Sequence, residues 1–247
     1  MSRFCLGVLA AFLLAAQAFA FSFLVFGDSQ GDDKVFSDLI SRIKQERNVA
    51  FAVNNGDMTV YGKESEYQHY LQMVSKFKYP IYHVMGNHDA VRGGWKNFEK
   101  YFGPSYYSFE YQNSHFIILD NSFRQSFDRK QFEWLKKDIA SSPARHKFVF
   151  MHRPTFDPSE IYQDYTMSGR EVTQELMRLF TKFKVEYVFA GHIHGYARAE
   201  REGVSYIVTA GAGAPLYLPA GMGGFYNYVK VTVEDGRVGD QVVNIYE

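Results

Sequence analysis

Five short segments of this chain concentrate the oxygen and nitrogen donors that hold metal ions. In order they are Gly27-Asp28-Ser29-Gln30, Asn55-Gly56-Asp57, Gly86-Asn87-His88-Asp89, Met151-His152-Arg153-Pro154 and Gly191-His192-Ile193-His194. Carboxylate, carboxamide and imidazole together suit divalent metals such as Mn, Zn, Fe and Ni. Asp28 and Asp57 are hard anionic donors, and Asn87 offers a neutral carbonyl oxygen. His152, His192 and His194 offer ring nitrogens. A carboxylate shared by two such ions can hold them about 3.5–4 Å apart, the spacing used by two-metal hydrolases of phosphate esters. Water bridging the pair is acidified toward hydroxide, a nucleophile near neutral pH. His88 adjoins a ligand without being needed as one. With Asp89 beside it, it can stabilise developing charge or protonate a leaving oxygen.

Each segment ends or directly follows an apolar run that reads as a strand. All five therefore fall at strand ends, where open α/β folds build their sites. An aspartate after a strand is by itself usually a turn or cap residue. An isolated histidine is more often a satisfied structural group than a ligand. The ordered set, at successive strand ends, is what points to metal.

Apolar spacing predicts the elements that must position these residues. Phe21–Phe26 reads as a buried strand. A helix over 33–47 follows, with Val35, Phe36, Leu39, Ile40 and Ile43 on one face. Strands at 49–53 and 81–85 bracket a helix over 64–77. A short helix over 95–102 precedes period-two strands at 106–111 and 115–120. Asp128 and Gln131 read as a capping box, as do Ser168 and Glu171. The helices they open bury Phe132, Leu135 and Ile139 in one case, and Val172, Leu176, Leu179 and Phe180 in the other. Strands at 147–151 and 185–190 lead into His152 and His192. Hairpins follow at 197–209 and 226–246. The β-α-β-α-β opening implies a layered α/β fold in one domain. His83 and His115 fall inside strands and read as packing residues, while His69 and His146 read as solvent-facing.

The chain has 247 residues, 46% hydrophobic and 17% aromatic, which is apolar material for one sizeable core. Its formal net charge is zero. That gives no reason to expect nucleic acid or an anionic membrane as the main partner. Small anionic substrates fit, because metals supply positive field locally. Residues 1–20 read as a secretory signal peptide, with Arg3, an apolar stretch from Phe4 to Ala16 and Ala18-Phe19-Ala20 at the cleavage site. The expected mature chain, 21–247, starts at Phe21 and has no membrane span. It would be secreted or periplasmic, and cysteine-free because Cys5 is removed. An uncleaved anchor is the competing reading, opposed by the need for Phe21–Phe26 as the strand into Asp28.

In this order the five segments resemble the calcineurin-like metallophosphoesterase family over essentially the whole mature chain. Gly86-Asn87-His88-Asp89 together with Gly191-His192-Ile193-His194 is the specific part of the resemblance. The family fold implied is α/β, a four-layer αββα sandwich of two mixed sheets. The resemblance assigns Asp28 and His194 to a first metal and Asn87, His152 and His192 to a second, with Asp57 bridging. It makes His88 the catalytic histidine, supported by Asp89. The implied cofactors are two divalent ions, and the implied partner is a small phosphate ester.

One position departs from the pattern. The first motif of the family usually reads Asp-x-His, and this chain has Gln30, which can give a carbonyl oxygen or hold a metal-bound water. Purple acid phosphatases carry a tyrosine ligand after the second motif. Tyr61 stands one residue further from Asp57 than that and reads as packing. Arg153 and Arg92 are candidate phosphate contacts, with surface salt bridges as the alternative. The stretch 155–167, with Tyr162 and Tyr165, and the glycine-rich stretch 210–224, with Tyr217, are candidate substrate-facing loops. The expectation is an exported dinuclear phosphoesterase acting on mono- or diesters. The alternative, motivated by Gln30, is a metal-binding protein of the same fold with little or no catalysis. The intact His88-Asp89 pair argues against that alternative.

Overall fold

Alternate residues of the first strand face two different cores, and this period-two division organises the molecule. The computed structural model describes residues 20–123, 127–234 and 236–247. The signal peptide expected over 1–20 lies outside the described residues except for Ala20. The first half of the chain forms β1 (Ala20–Phe26), α1 (Asp33–Ile43), β2 (Val49–Asn54), α2 (Glu64–Val74), β3 (Ile81–His83), α3 (Asn87–Ala90) and α4 (Trp95–Phe102). The second half forms β4 (Tyr107–Tyr111), β5 (Ser114–Ile118), α5 (Arg129–Ser141), β6 (His146–Phe150), α6 (Arg170–Lys182) and β7 (Tyr187–Ala190). Two hairpins close it, β8 (Tyr196–Arg201) with β9 (Val204–Thr209), and β10 (Asn227–Glu234) with β11 (Arg237–Asn244).

The strands make two mixed sheets, ordered β11-β10-β1-β2-β3 and β4-β5-β6-β7-β9-β8. β1, β2 and β3 are parallel, as are β5, β6, β7 and β9. Phe21, Phe23 and Val25 of β1 point between the sheets, against Phe116, Phe148, Phe150 and Phe189. Leu24 and Phe26 point the other way, onto Phe36, Leu39 and Ile40 of α1 and Tyr67 and Tyr70 of α2. Outside the second sheet, Leu135 and Ile139 of α5 and Leu176 and Phe180 of α6 form a third core. The result is the four-layer αββα sandwich. Its middle layer is aromatic: Phe23 stacks on Phe51 at 5.4 Å and meets Phe116 edge-on at 5.3 Å. Such pairs add about 0.5–1.5 kcal/mol each beyond the area they bury.

Several local expectations change. α1 stops at Ile43 instead of running to residue 47, because Asn48 turns at a φ of 59° and Glu46 leaves to bind Lys230 of β10 at 2.7 Å. Gln131 forms no capping box; its amide is spent on the Asp120 backbone, accepting from N–H and donating to C=O at 2.8 Å each. α6 starts at Arg170 behind Gly169, so its N-cap position falls one residue after Ser168. His146 is buried, with Nδ1 2.8 Å from Glu186, and does not face solvent. His115 is also buried, with Nε2 2.8 Å from Asp138.

His83 is a packing residue with an acid-sensitive consequence. Its ring stacks on Phe102 at 4.0 Å, and Nε2 lies 3.1 Å from the Tyr70 hydroxyl. Burial pushes its pKa down from 6.5 to about 3. The unfolded chain therefore binds an extra proton between those values, and stability falls as pH drops below 6.5, levelling near 3. From pH 7 to pH 5 the wild type should lose about 2 kcal/mol more than His83→Phe in urea unfolding. Equal losses would show that His83 does not carry this sensitivity.

Candidate metal centre

All five donor segments leave the C-terminal ends of parallel strands: β1, β2 and β3 in one sheet, β6 and β7 in the other. The two sheets are tied directly at these strand ends. Ala212, after β9, donates its N–H to Gly27 O, after β1, at 3.1 Å, and His152, after β6, donates Nδ1–H to Asn55 O, after β2, at 2.9 Å. Asp28, Asp57 and His192 adopt left-handed backbone, at φ of 59°, 55° and 69°. Such conformations cost about 1–3 kcal/mol each and persist only where surroundings over-determine them. Here Asp28 N donates to Gly56 O at 2.9 Å, and His192 N reaches the Asp28 carboxylate at 3.1 Å. Two glycines make room for the carboxylates. A Cβ on Gly86 would lie 2.1 Å from Asp57 Oδ1, and one on Gly191 would lie 2.5 Å from Asp28 Oδ2.

The donors gather around Asp57. Its Oδ2 is 3.3 Å from His152 Nε2, which is also 3.0 Å from Asn87 Oδ1. Asp57, His152 and His192 present ligand atoms within 4.8 Å of one another. On the other side, Asp28 Oδ1 is 3.3 Å from His194 Nε2. Gln30 links the halves by donating Nε2–H to Asp57 Oδ2 at 3.5 Å, while its Oε1 is buried without a hydrogen-bond partner. A buried, unsatisfied carbonyl oxygen beside two buried carboxylates is suited to a cation. The residues present thus fit divalent metal.

Backbone oxygens set the ring orientations. His152 Nδ1 donates to Asn55 O at 2.9 Å, and His194 Nδ1 donates to Pro215 O at 2.7 Å. Each bond leaves Nε2, beside Asp57 in one case and Asp28 in the other, as the nitrogen that would coordinate an ion. His88 Nδ1 likewise donates to Val60 O at 2.9 Å. Asp89 makes no hydrogen bond to that ring. Its carboxylate accepts from the backbone N–H of Gly86, Asp57, Met58 and Thr59 and from the Thr59 hydroxyl, at 2.7–3.0 Å. Orienting the ring, the role expected of Asp89, thus falls to Val60, and Asp89 fixes the loops that carry Asp57 and His88.

The charges are strongly coupled. Burial opposes ionisation of Asp57, but His152 and His88 outweigh it and hold the carboxyl at about 2. Burial opposes protonation of His152, but Asp57 and Asp28 lift it to about 9. Burial, His152 and Arg153 push His192 down to about 2. Asp28 is raised by burial against the pull of His194. His152 therefore carries a proton on Nε2, where a metal would bind.

Arg153 donates Nη1–H to His192 Nε2, so it adjoins the centre and occupies a lone pair that a metal would use. Arg92 stands apart: its guanidinium lies over the exposed Tyr61 ring at 5.0 Å and bonds to no ligand among the described residues. Asn121 was missed from the sequence. Its Oδ1 accepts from His152 N and Arg153 N, and its Nδ2–H donates to Arg153 O at 2.7 Å, bracing that loop. A carboxamide ending an apolar run was its only signal. Asn55, Val60 and Pro215 act through backbone oxygens, which side-chain type does not reveal.

The family model for calcineurin-like phosphoesterase matches residues 21–196. Among curated proteins, purple acid phosphatase 23 of Arabidopsis thaliana is 32% identical over 133 residues, covering 52% of this chain and 27% of that protein. A purple acid phosphatase of Glycine max is 30% identical over 132 residues, covering 49% and 28%. This chain thus aligns with little more than a quarter of each plant relative. The solved purple acid phosphatase PPD1 from yellow lupin (Lupinus luteus) seeds superposes with a TM-score of 0.77 at 15% identity, over 94% of this chain and 52% of that one. That likeness shows the shared fold.

Two outcomes follow from this geometry. An ion held by His152 would displace its proton, so Mn affinity of the stripped chain should rise up to about tenfold per pH unit between pH 6 and pH 8. Calorimetry giving a flat profile would contradict the His152 assignment. Asp89→Asn should lower unfolding free energy by roughly 3 kcal/mol, because a carboxamide cannot accept from donors at both of its ends. A loss near zero would contradict the bracing role.

Proposed function

The chain belongs to the calcineurin-like phosphoesterase family, and from that premise we propose that it is a dinuclear metal-dependent phosphoesterase acting on small phosphate mono- or diesters. The observation that carries this reading is the placement of Asp57. Its Oδ2 is shared between His152 on one side and Gln30 on the other, next to the Asp28–His194 pair. In this reading Asp28, His194 and Gln30 would hold one ion and Asn87, His152 and His192 the other, with Asp57 available to both. When bound, the ions supply Lewis acidity and a nucleophile from water near neutral pH.

The protein's own groups orient the ester and move the proton. Val60 accepts the Nδ1–H of His88. Nε2 is therefore the nitrogen that exchanges a proton with the leaving oxygen. Arg153 would have to give up His192 Nε2 if that nitrogen held an ion. Its guanidinium then has the ester's anionic oxygens as partners. Export as a single domain, residues 21–247, to the periplasm or outside the cell is proposed on residues 1–20 alone. Among the described residues no helix is long and apolar enough to cross a membrane.

Gln30 in place of an imidazole favours a second reading, a metal-binding protein without turnover. Hydrolysis of paired chromogenic mono- and diesters by chain reloaded with Mn, Zn, Fe or Ni separates the two. The phosphoesterase reading expects metal-dependent turnover, with His88→Ala lowering kcat by about 10²–10⁴ while metal content is kept. Asp57→Ala should lose metal and turnover together. Full hydrolysis by metal-free Asp57→Ala would sink the mechanism, and bound metal without turnover would select the second reading.

A further inference from the structure

Two stretches bordering the metal centre carry tyrosines that the proposed chemistry does not use. Tyr162 and Tyr165 lie between β6 and α6, and Tyr217 lies between β9 and β10. All three meet beside the ligating histidines. The Tyr217 ring lies nearly flat on His194, centroids 3.9 Å apart at 22°. Tyr165 stands 5.9 Å from the His192 ring. Tyr165 is also 5.7 Å from Tyr217 and 5.4 Å from Tyr162, so the rings form one connected surface. Tyr165 is 41% exposed and Tyr217 37%. Both rings are therefore partly open to solvent, Tyr217 on the side away from His194.

This surface is held in place. Tyr162 donates its hydroxyl proton to Tyr217 O at 2.9 Å, clamping the two stretches together. Tyr162 N and Ser159 N donate to the buried Asp157 carboxylate at 2.6 and 2.8 Å. Tyr217 N donates to His194 O at 2.9 Å. A prearranged aromatic platform loses little freedom when a flat partner stacks on it. Its position against two ligating histidines places such a partner within reach of an ester bound at the metals.

We propose that Tyr165 and Tyr217, clamped by Tyr162, form a stacking subsite for the alcohol half of the ester. The preferred substrates are then phosphate esters whose alcohol carries a flat aromatic ring. The inference rests on the phosphoesterase reading of the same centre. Aryl phosphates and nucleoside phosphates share this chemistry and differ in how far the ring stands from phosphorus. An aliphatic phosphate gives the rings nothing to stack on.

Equilibrium binding reads the subsite without turnover. The Mn-loaded full chain carrying His88→Ala is titrated with phenyl phosphate, adenosine monophosphate, glycerol phosphate and ribose phosphate. At least one ring-bearing ligand should bind about tenfold tighter than its aliphatic counterpart. Which one does so identifies the ring distance the site accepts. Adding Tyr165→Ala should erase that preference and leave glycerol phosphate within about twofold, whereas Tyr165→Phe should keep it. Tyr165 is exposed, so its replacement spares the core. Equal binding of ring-bearing and aliphatic ligands overturns the proposal, as does a Tyr165→Ala effect common to all four. Failure of the phosphoesterase reading shows separately, as wild-type chain without turnover in any metal, and leaves this binding comparison readable.

Discussion

Two fully buried carboxylates, Asp28 and Asp57, sit where the ends of the two sheets meet, and the surrounding structure is arranged to compensate them. Unpaired charge in such a place costs several kcal/mol or more. His192 turns its backbone N–H onto Asp28, and His88 turns its own onto Asp57 at 2.8 Å. His152 holds a proton against Asp57 that its buried position would otherwise expel. In the proposed reading, two divalent cations take over this compensation, and the proton on His152 marks where one of them goes. The unsatisfied Oε1 of Gln30 fits the same account.

Compensation of this kind works only if the loops cannot relax away from it. Asp89 fastens the turn carrying Asp57 to the short helix carrying Asn87 and His88, through backbone groups of both. Asn121 does the same for the segment carrying His152. Behind them the interlocked phenylalanines of β1, β2, β5 and β6 hold the sheets face to face. Rigidity is thus graded, from an aromatic middle layer through hydrogen-bonded turns to side chains under electrostatic tension. The left-handed backbone at Asp28, Asp57 and His192 is where that tension is stored.

The sequence made some of this legible for physical reasons. Strands and helices followed from apolar period, because burial selects each exposed or inward position. Metal-ligand candidates followed from side-chain type, because the side chain itself supplies the donor atom. Helix ends were less legible, because distant partners decide them. Glu46 is drawn off α1 by Lys230, 184 residues further along the chain. Asp128 caps α5 as its type suggests, accepting from Lys130 N at 3.0 Å, but the box stays incomplete because Gln131 is used on Asp120. His146 looked solvent-facing because its partner Glu186 is remote in sequence. Carbonyl oxygens that orient rings leave no trace in residue type, so Asn55, Val60 and Pro215 emerged only in three dimensions. The contact of Tyr217 with His194 belongs to the same class, since neither residue type implies the other.

Anomalous diffraction from crystals of the Mn-loaded chain tests the central claim most directly, that Asp57 serves two ions. The account predicts two peaks about 3.5–4 Å apart, both within coordinating distance of the Asp57 carboxylate. One should lie toward Asp28 and His194, the other toward His152 and His192. A single peak held by Asp57, His152 and His192, with Asp28 still paired only to His194, would contradict it.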